Sequence, residues 1–232
     1  MSALSETLDD LLRRQRVWRG SRAAQSAVST RSTGFAPLDR QLPGGGWPSG
    51  ALIEILAAAE GGGELQLVLP ALTALSAAGQ RIVWLAPPHL PFAPALAAAG
   101  IDLRSLAVVR TPRRREVLWA AEQVLRARAC HALLLWCRDL RYAELRRLAV
   151  AADASHALVM LFRPQQAAQA SSPAALRLAL APGERGLEVR ILKCRGPRRE
   201  GPLHLHVNRP AHALGRSSPA AARPRDAVAC PA

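Results

Sequence analysis

Ala51–Ala78 reads ALIEILAAAEGGGELQLVLPALTALSAA: a short apolar run at Leu52–Leu56, a triple glycine at Gly61-Gly62-Gly63, then helical leucine spacing over Leu65–Ala78. A strand that turns through glycines into a helix is the opening half of a crossover unit. The alternation continues downstream. Arg81–Ala86, Ala107–Arg110, Ala132–Cys137 and His156–Phe162 read as strands, with helical segments at Pro91–Gly100, Arg115–Ala129 and Arg141–Ala152. Strand–helix–strand repetition implies parallel strands joined by crossover helices. The runs LLLW and ALVMLF are apolar without alternation, as in central strands covered on both faces. After Phe162 the pattern changes. Leu176–Leu180 and Leu187–Lys193 flank the turn signal Pro182-Gly183-Glu184-Arg185-Gly186, and Leu203–Val207 alternates strictly. The expected fold is therefore α/β: a mostly parallel sheet flanked by helices, with antiparallel strands at its C-terminal edge.

Outward from this core, the two ends differ in kind. Residues 1–20 carry Leu4, Leu8, Leu11 and Leu12 on one helical face, with Glu6, Asp9 and Asp10 early and Arg13, Arg14 and Arg16 late. That charge order suits the helix dipole. Gly20 is a plausible stop, and Ser21–Thr33, polar and aperiodic, is expected to be a linker of low order. At the other end, Gly215–Ala232 combines prolines and small residues without periodicity and is expected to be disordered. The chain thus divides into a helix and linker at 1–33, a core at 34–210 and a tail at 211–232.

With 232 residues, half of them hydrophobic, the chain is long enough for one sizeable core. Its apolar stretches are too short to span a bilayer, and Met1–Leu12 has acids where a signal peptide has a basic and then an apolar run. A cytoplasmic protein that does not enter the membrane is expected, nucleoid-associated when engaged. Cys130, Cys137, Cys194 and Cys230 form no C-x-x-C pair and read as free thiols. The formal net charge of +14 favours phosphate backbones or acidic proteins as partners. Yet Lys193 is the only lysine, and an Arg-, Ala-, Gly- and Pro-rich chain is also what a GC-rich coding sequence produces, so charge alone does not assign a partner.

Thr33–Leu56, TGFAPLDRQLPGGGWPSGALIEIL, resembles the entry of RecA-family domains: a Thr-Gly, a Leu-Asp, a glycine-rich turn, then an Ile/Val-Glu-Ile strand. Trp84–Val109 resembles the RecA segment between the second and third core strands. The likeness covers Thr33–Asn208. More narrowly, Val17-Trp18-Arg19-Gly20, Ala86-Pro87-Pro88-His89 and the run LKCRGP from Leu192 to Pro197 resemble the ImuA family, RecA-like accessory proteins of bacterial translesion synthesis. That resemblance implies a Y-family polymerase relative, ImuB, and an error-prone replicative-type polymerase as partners, with RecA itself a further one. SulA, a cell-division inhibitor acting on FtsZ, is a structural cousin and supplies the rival reading.

The resemblance brings a test of chemistry with it. A working phosphate loop, G-x-x-x-x-G-K-[ST], needs a lysine on the outer phosphates and a hydroxyl on Mg²⁺. Here Gly61, Gly62 and Gly63 remain, but Glu64 stands at the lysine position and Leu65 at the hydroxyl position. RecA proteins carry a carboxylate after the next strand, where this chain has Pro88; the metal-orienting aspartate should follow Leu133-Leu134-Leu135, where Trp136 and Cys137 stand. Asp139 is better placed as an N-cap for the helix starting near Arg141. No catalytic residue, no cofactor and no metal is expected. A lone His89 has no partner, and His204 and His206 share a strand face without a third ligand nearby.

Binding surfaces are left. Arg113, Arg114 and Arg115 open a helix, and Lys193, Arg195, Arg198 and Arg199 close a strand; both groups are candidate contacts to nucleic acid or a partner. In active relatives a pair like Lys193 and Arg195 reaches a neighbour's nucleotide. RecA holds single-stranded DNA with two long loops, yet here the first shrinks to Leu140-Arg141-Tyr142 and the second to Arg163–Ser172. Any DNA affinity is therefore expected to be electrostatic, indifferent to sequence and steeply salt-dependent. Leu4, Leu8, Leu11, Leu12 and Trp18 are the candidate docking face for a partner protein, since an isolated helix of that length is marginal in water.

Overall fold

The computed structural model describes residues 29–111, 113–183, 186–196 and 201–207. The main strands are β3 (Ala51–Ala57), β4 (Ile82–Leu85), β5 (Leu106–Val109), β6 (Ala132–Trp136), β7 (Leu158–Pro164), β8 (Leu176–Gly183), β9 (Gly186–Lys193) and β10 (Leu203–His206). Their order in the sheet is β10-β9-β8-β3-β7-β6-β4-β5. From β8 to β5 every neighbouring pair is parallel, while β8–β9 and β9–β10 are antiparallel. The expected α/β architecture, with its antiparallel C-terminal edge, is the one observed.

Alternation along each strand divides the core into two layers. Ile53, Ile55, Trp84, Leu134 and Met160 face the layer that receives α2 (Glu64–Ala77) and α3 (Ala93–Ala98). Leu52, Leu85, Leu133, Leu135 and Leu161 face the layer that receives α4 (Arg114–Arg126) and α5 (Tyr142–Ser155). Each face of the parallel strands is thus covered, which explains their near-continuous apolar sequences. The apolar side of the antiparallel strands, Leu178, Leu180, Val189 and Leu205, extends the first layer.

The entry segment is built by its polar residues. In α1 (Ala36–Asp39) the Asp39 carboxylate accepts from the Thr33 N–H at 2.8 Å and the Ser32 hydroxyl at 2.6 Å, while Leu38 is fully buried. Gly34, at φ +84°, lies so close to Pro70 of α2 that a Cβ would meet the Pro70 Cβ at 2.3 Å. The Thr-Gly and Leu-Asp pairs are therefore the two halves of one clasp onto α2. A small antiparallel pair, β1 (Thr30–Arg31) with β2 (Trp47–Pro48), closes this segment; it falls partly within the stretch expected to be a linker. Trp47, wholly buried in the first layer, fixes it there.

Other details also depart from expectation, several element ends by one or two residues. Asp139 does not cap α5; the Glu144 side chain reaches back instead, its Oε2 accepting from the Arg141 N–H at 2.8 Å. A glutamate inside the first turn satisfies the orphan donor without help from the preceding loop. Leu203–Val207 is one residue shorter as a strand, ending at His206. The expected helix of residues 1–20, the tail of 211–232, Arg198 and Arg199 lie outside the described residues.

Candidate functional site

β3 leads into the glycine loop and α2 begins at Glu64, with Gly63 as N-cap at φ +100°. A side chain at that φ is strained, and a Cβ on Gly63 would meet Leu187 Cδ2 at 2.3 Å. The last glycine of the loop is thereby explained by contact with β9. The Gly61 N–H donates to Glu64 Oε1 at 2.8 Å. Glu64 is 6% exposed, and its second carboxylate oxygen, Oε2, is buried with no hydrogen-bond partner. Leu65 packs against the apolar first layer.

These residues do not fit a magnesium nucleotide. A phosphate brought to the loop would meet a carboxylate already on the Gly61 amide, where a binding loop presents free N–H groups and a lysine. Lys193, the only lysine in the chain, is committed elsewhere: its Nζ donates to the Ser172 carbonyl at 2.8 Å. Desolvation and the Arg177 charge, opposed by Glu54 and reinforced by Arg195, hold its pKa below the usual lysine value.

The loop forms one side of a cleft lined also by Ala57, Trp136, Cys137, Arg138, Phe162 and Pro164. Trp136 stacks on Phe162, centroids 4.6 Å apart at 20°, and meets Trp84 at 5.5 Å and 56°. At the rim, Arg138 pairs with Glu60 at 3.2 Å, the two side chains 70% and 46% exposed. A pair that open contributes about 0–1 kcal/mol, whereas a buried acceptor left without a donor costs roughly 1–3 kcal/mol. Burial pushes the Cys137 thiol up to about 11 and the Cys130 thiol up to about 12, so both are neutral near pH 7. Cys130 and Cys137 are free thiols, as expected.

Beneath the cleft lies an ionic cluster. Glu54, wholly buried in the middle of β3, accepts from Arg163 Nη1 at 3.1 Å and from Arg177 Nε at 2.5 Å. The register explains the meeting: Glu54 is opposite Arg177 in the β3–β8 pair, and Arg163 stands opposite Leu56 in the β3–β7 pair, a diagonal that long side chains span. Arg177 also donates to the carbonyls of Ala167 at 2.7 Å, Ala168 at 3.3 Å and Ala170 at 3.1 Å. The short segment after β7, which includes the 3₁₀ turn Gln165–Gln169, is thus tied to the sheet from below. Sequence reasoning passed over this cluster. Its signal was a charge inside each of the apolar runs ALIEILA and LRLAL, which a buried strand tolerates only with a partner.

The arginine groups are not brought together. Arg113, Arg114 and Arg115 lie just past the C-terminal end of β5, whereas β9 ends at Lys193 opposite Arg177, near the start of β8. Five strands separate β5 from β9, so six inter-strand spacings put the groups about 29 Å apart along the sheet. Arg113 pairs with Glu116 at 2.9 Å; Arg114 pairs with Glu144 at 2.9 Å and donates to the Asp139 carbonyl at 2.6 Å. Desolvation works against it, but the Arg141 N–H and the Arg114 charge hold the Glu144 carboxyl below its usual value. Arg115 and Arg195 are exposed. His204 and His206 flank buried Leu205 on the exposed face of β10, and among the described residues no group of His, Cys, Asp or Glu has metal-binding geometry. Among those residues no helix is long and apolar enough to cross a membrane.

No family model matches the chain. It is similar to the cell division inhibitor SulA of Edwardsiella piscicida, with 31% identity over 100 residues. The match takes in 43% of this chain and 60% of that relative. This chain is therefore the longer of the two, and the likeness fits the RecA/SulA superfamily.

Proposed function

We propose that the chain is a non-catalytic RecA-like accessory protein of DNA-damage-induced translesion synthesis, an adaptor for an ImuB-like Y-family polymerase relative and an error-prone polymerase. The observation that carries this reading is the Glu64 carboxylate folded onto the Gly61 amide, which leaves a nucleotide-domain scaffold suited to contact and not to hydrolysis. Calorimetry with Mg-ATP and Mg-ADP is expected to give no micromolar binding; a micromolar affinity for either would reject the non-catalytic part of the proposal.

The SulA likeness supports a second reading, an inhibitor of FtsZ polymerisation. Against it stand the Trp18-containing arm and the Ala86-Pro87-Pro88-His89 turn, which resemble ImuA. The two are separated by giving the purified protein an ImuB relative and FtsZ in parallel. The adaptor reading expects capture of the polymerase relative and unchanged FtsZ light scattering. It also expects Leu8→Asp with Leu12→Asp to abolish capture while the melting temperature holds. Suppressed FtsZ assembly without capture of the polymerase relative would favour the SulA reading.

A further inference from the structure

The cleft beside the glycine loop keeps the position of a phosphate site but offers the opposite charge. Glu64 Oε2 is buried there without a donor, while Oε1 is anchored by the Gly61 N–H. The cations nearby are already committed, Arg163 to Glu54 and Arg138 to Glu60. The walls are the stacked Trp136–Phe162 pair and the apolar Ala57 and Pro164. One carboxylate oxygen in an aromatic cleft thus lacks a hydrogen-bonding cation, and the cover over it includes an exposed, weakly held ion pair.

We propose that this cleft receives a cationic side chain of a partner protein, an arginine whose guanidinium enters past the Glu60–Arg138 pair to donate to Glu64. Arginine fits better than a metal ion, because apolar and aromatic walls offer few oxygen ligands and the neighbouring Cys137 is a neutral thiol. It also fits better than lysine, since a guanidinium is planar, weakly hydrated and stacks on aromatic rings, whereas an ammonium holds its water more strongly. On entry, the guest takes the place of Arg138 opposite Glu60, and Arg138 swings into solvent. A glycine turn at a helix N-terminus, a geometry that suits an anion, is thereby made by Glu64 into a receptor for a cation. The inference goes beyond the adaptor reading and is independent of it, because either a polymerase relative or a division protein could supply the arginine.

The test uses the whole chain and N-acetyl-arginine amide as probe, with N-acetyl-citrulline amide as the uncharged match, followed through the Trp136 indole N–H resonance. Saturable binding of the arginine probe is expected, with the citrulline probe at least tenfold weaker. Glu64→Gln keeps an acceptor for the Gly61 N–H but turns an amide N–H₂ toward the cleft, and should weaken the arginine probe at least tenfold with little change in melting temperature. Should that variant fail to fold, Glu60→Gln at the exposed rim provides the second reading, with an expected loss of several-fold. Glu188→Gln on β9, outside the cleft, should leave binding unchanged. Absence of saturable binding, equal binding of citrulline, or full binding by Glu64→Gln or Glu60→Gln would overturn the proposal.

Discussion

Glu54→Ala is expected to lower the unfolding free energy by about 3–5 kcal/mol, the usual cost of removing one partner from a buried ionic cluster. Two guanidiniums, 5% and 8% exposed in their side chains, would be left facing each other with no anion between them. Set against a total stability of roughly 5–15 kcal/mol for a domain, that loss is a large fraction. Glu54→Gln, which keeps one acceptor oxygen but loses the charge and turns an amide N–H₂ toward the second guanidinium, should fall between the Ala variant and the parent. Replacing all three members by apolar residues is a different experiment, because buried ion pairs exchanged for well-packed hydrophobes often cost nothing. Here, though, Arg177 also holds the carbonyls of Ala167, Ala168 and Ala170. The triple variant should therefore recover much of the stability yet lose hydrogen-exchange protection around residues 165–172. Urea denaturation checks the first result, and an unchanged midpoint for Glu54→Ala would show that the cluster contributes nothing.

The second large effect is expected at Gly63→Ala. An L-residue at φ +100° costs about 1–3 kcal/mol in backbone strain, and the new methyl would collide with Leu187, which is buried in the first layer. Overpacking adds about 1–3 kcal/mol. Gly61→Ala separates the two terms: it too has a positive φ, +77°, but nothing lies within 4 Å of its added Cβ. It should show strain alone. Leu187→Ala in the Gly63→Ala background should restore part of the loss, and a double-mutant cycle without coupling between positions 63 and 187 would reject the steric account.

The strands of the main sheet and the longer helices between them were legible because each obeys a simple period, whereas β1, β2 and α1 are too short to show one. β6 and the Leu158–Phe162 part of β7 are unbroken apolar runs, and β9 and β10 alternate, so their type follows from which faces are covered. The carboxylate at the head of α2 was legible as well, since Glu64 directly follows the triple glycine. Less legible was how the loop resolves its own charge. The Gly61–Glu64 hydrogen bond depends on backbone geometry that glycine permits but does not dictate. The Glu54 cluster was hidden for another reason: its members are 109 and 123 positions apart in the chain, and only the strand order brings them together. Asp139 misled because an N-cap residue type before a helix is a local signal, and the competing Glu144 reaches the same amide from inside the turn.

That strand order has a consequence for the protein during its synthesis. β3 is the first strand of the main sheet to leave the ribosome, yet both of its neighbours, β7 and β8, come late. Translation at about 5–20 residues per second makes Glu54 wait roughly 6–25 s for Arg177, across the 123 intervening positions. Until β7 brings Arg163, 109 positions after Glu54, β3 has two open edges and an acid facing no base, so the nascent chain is at its most vulnerable to aggregation and proteolysis before the centre of its sheet is complete. Closure comes with β7 on one edge and then β8 on the other, which makes this a domain whose centre is completed late, with its antiparallel edge strands added last.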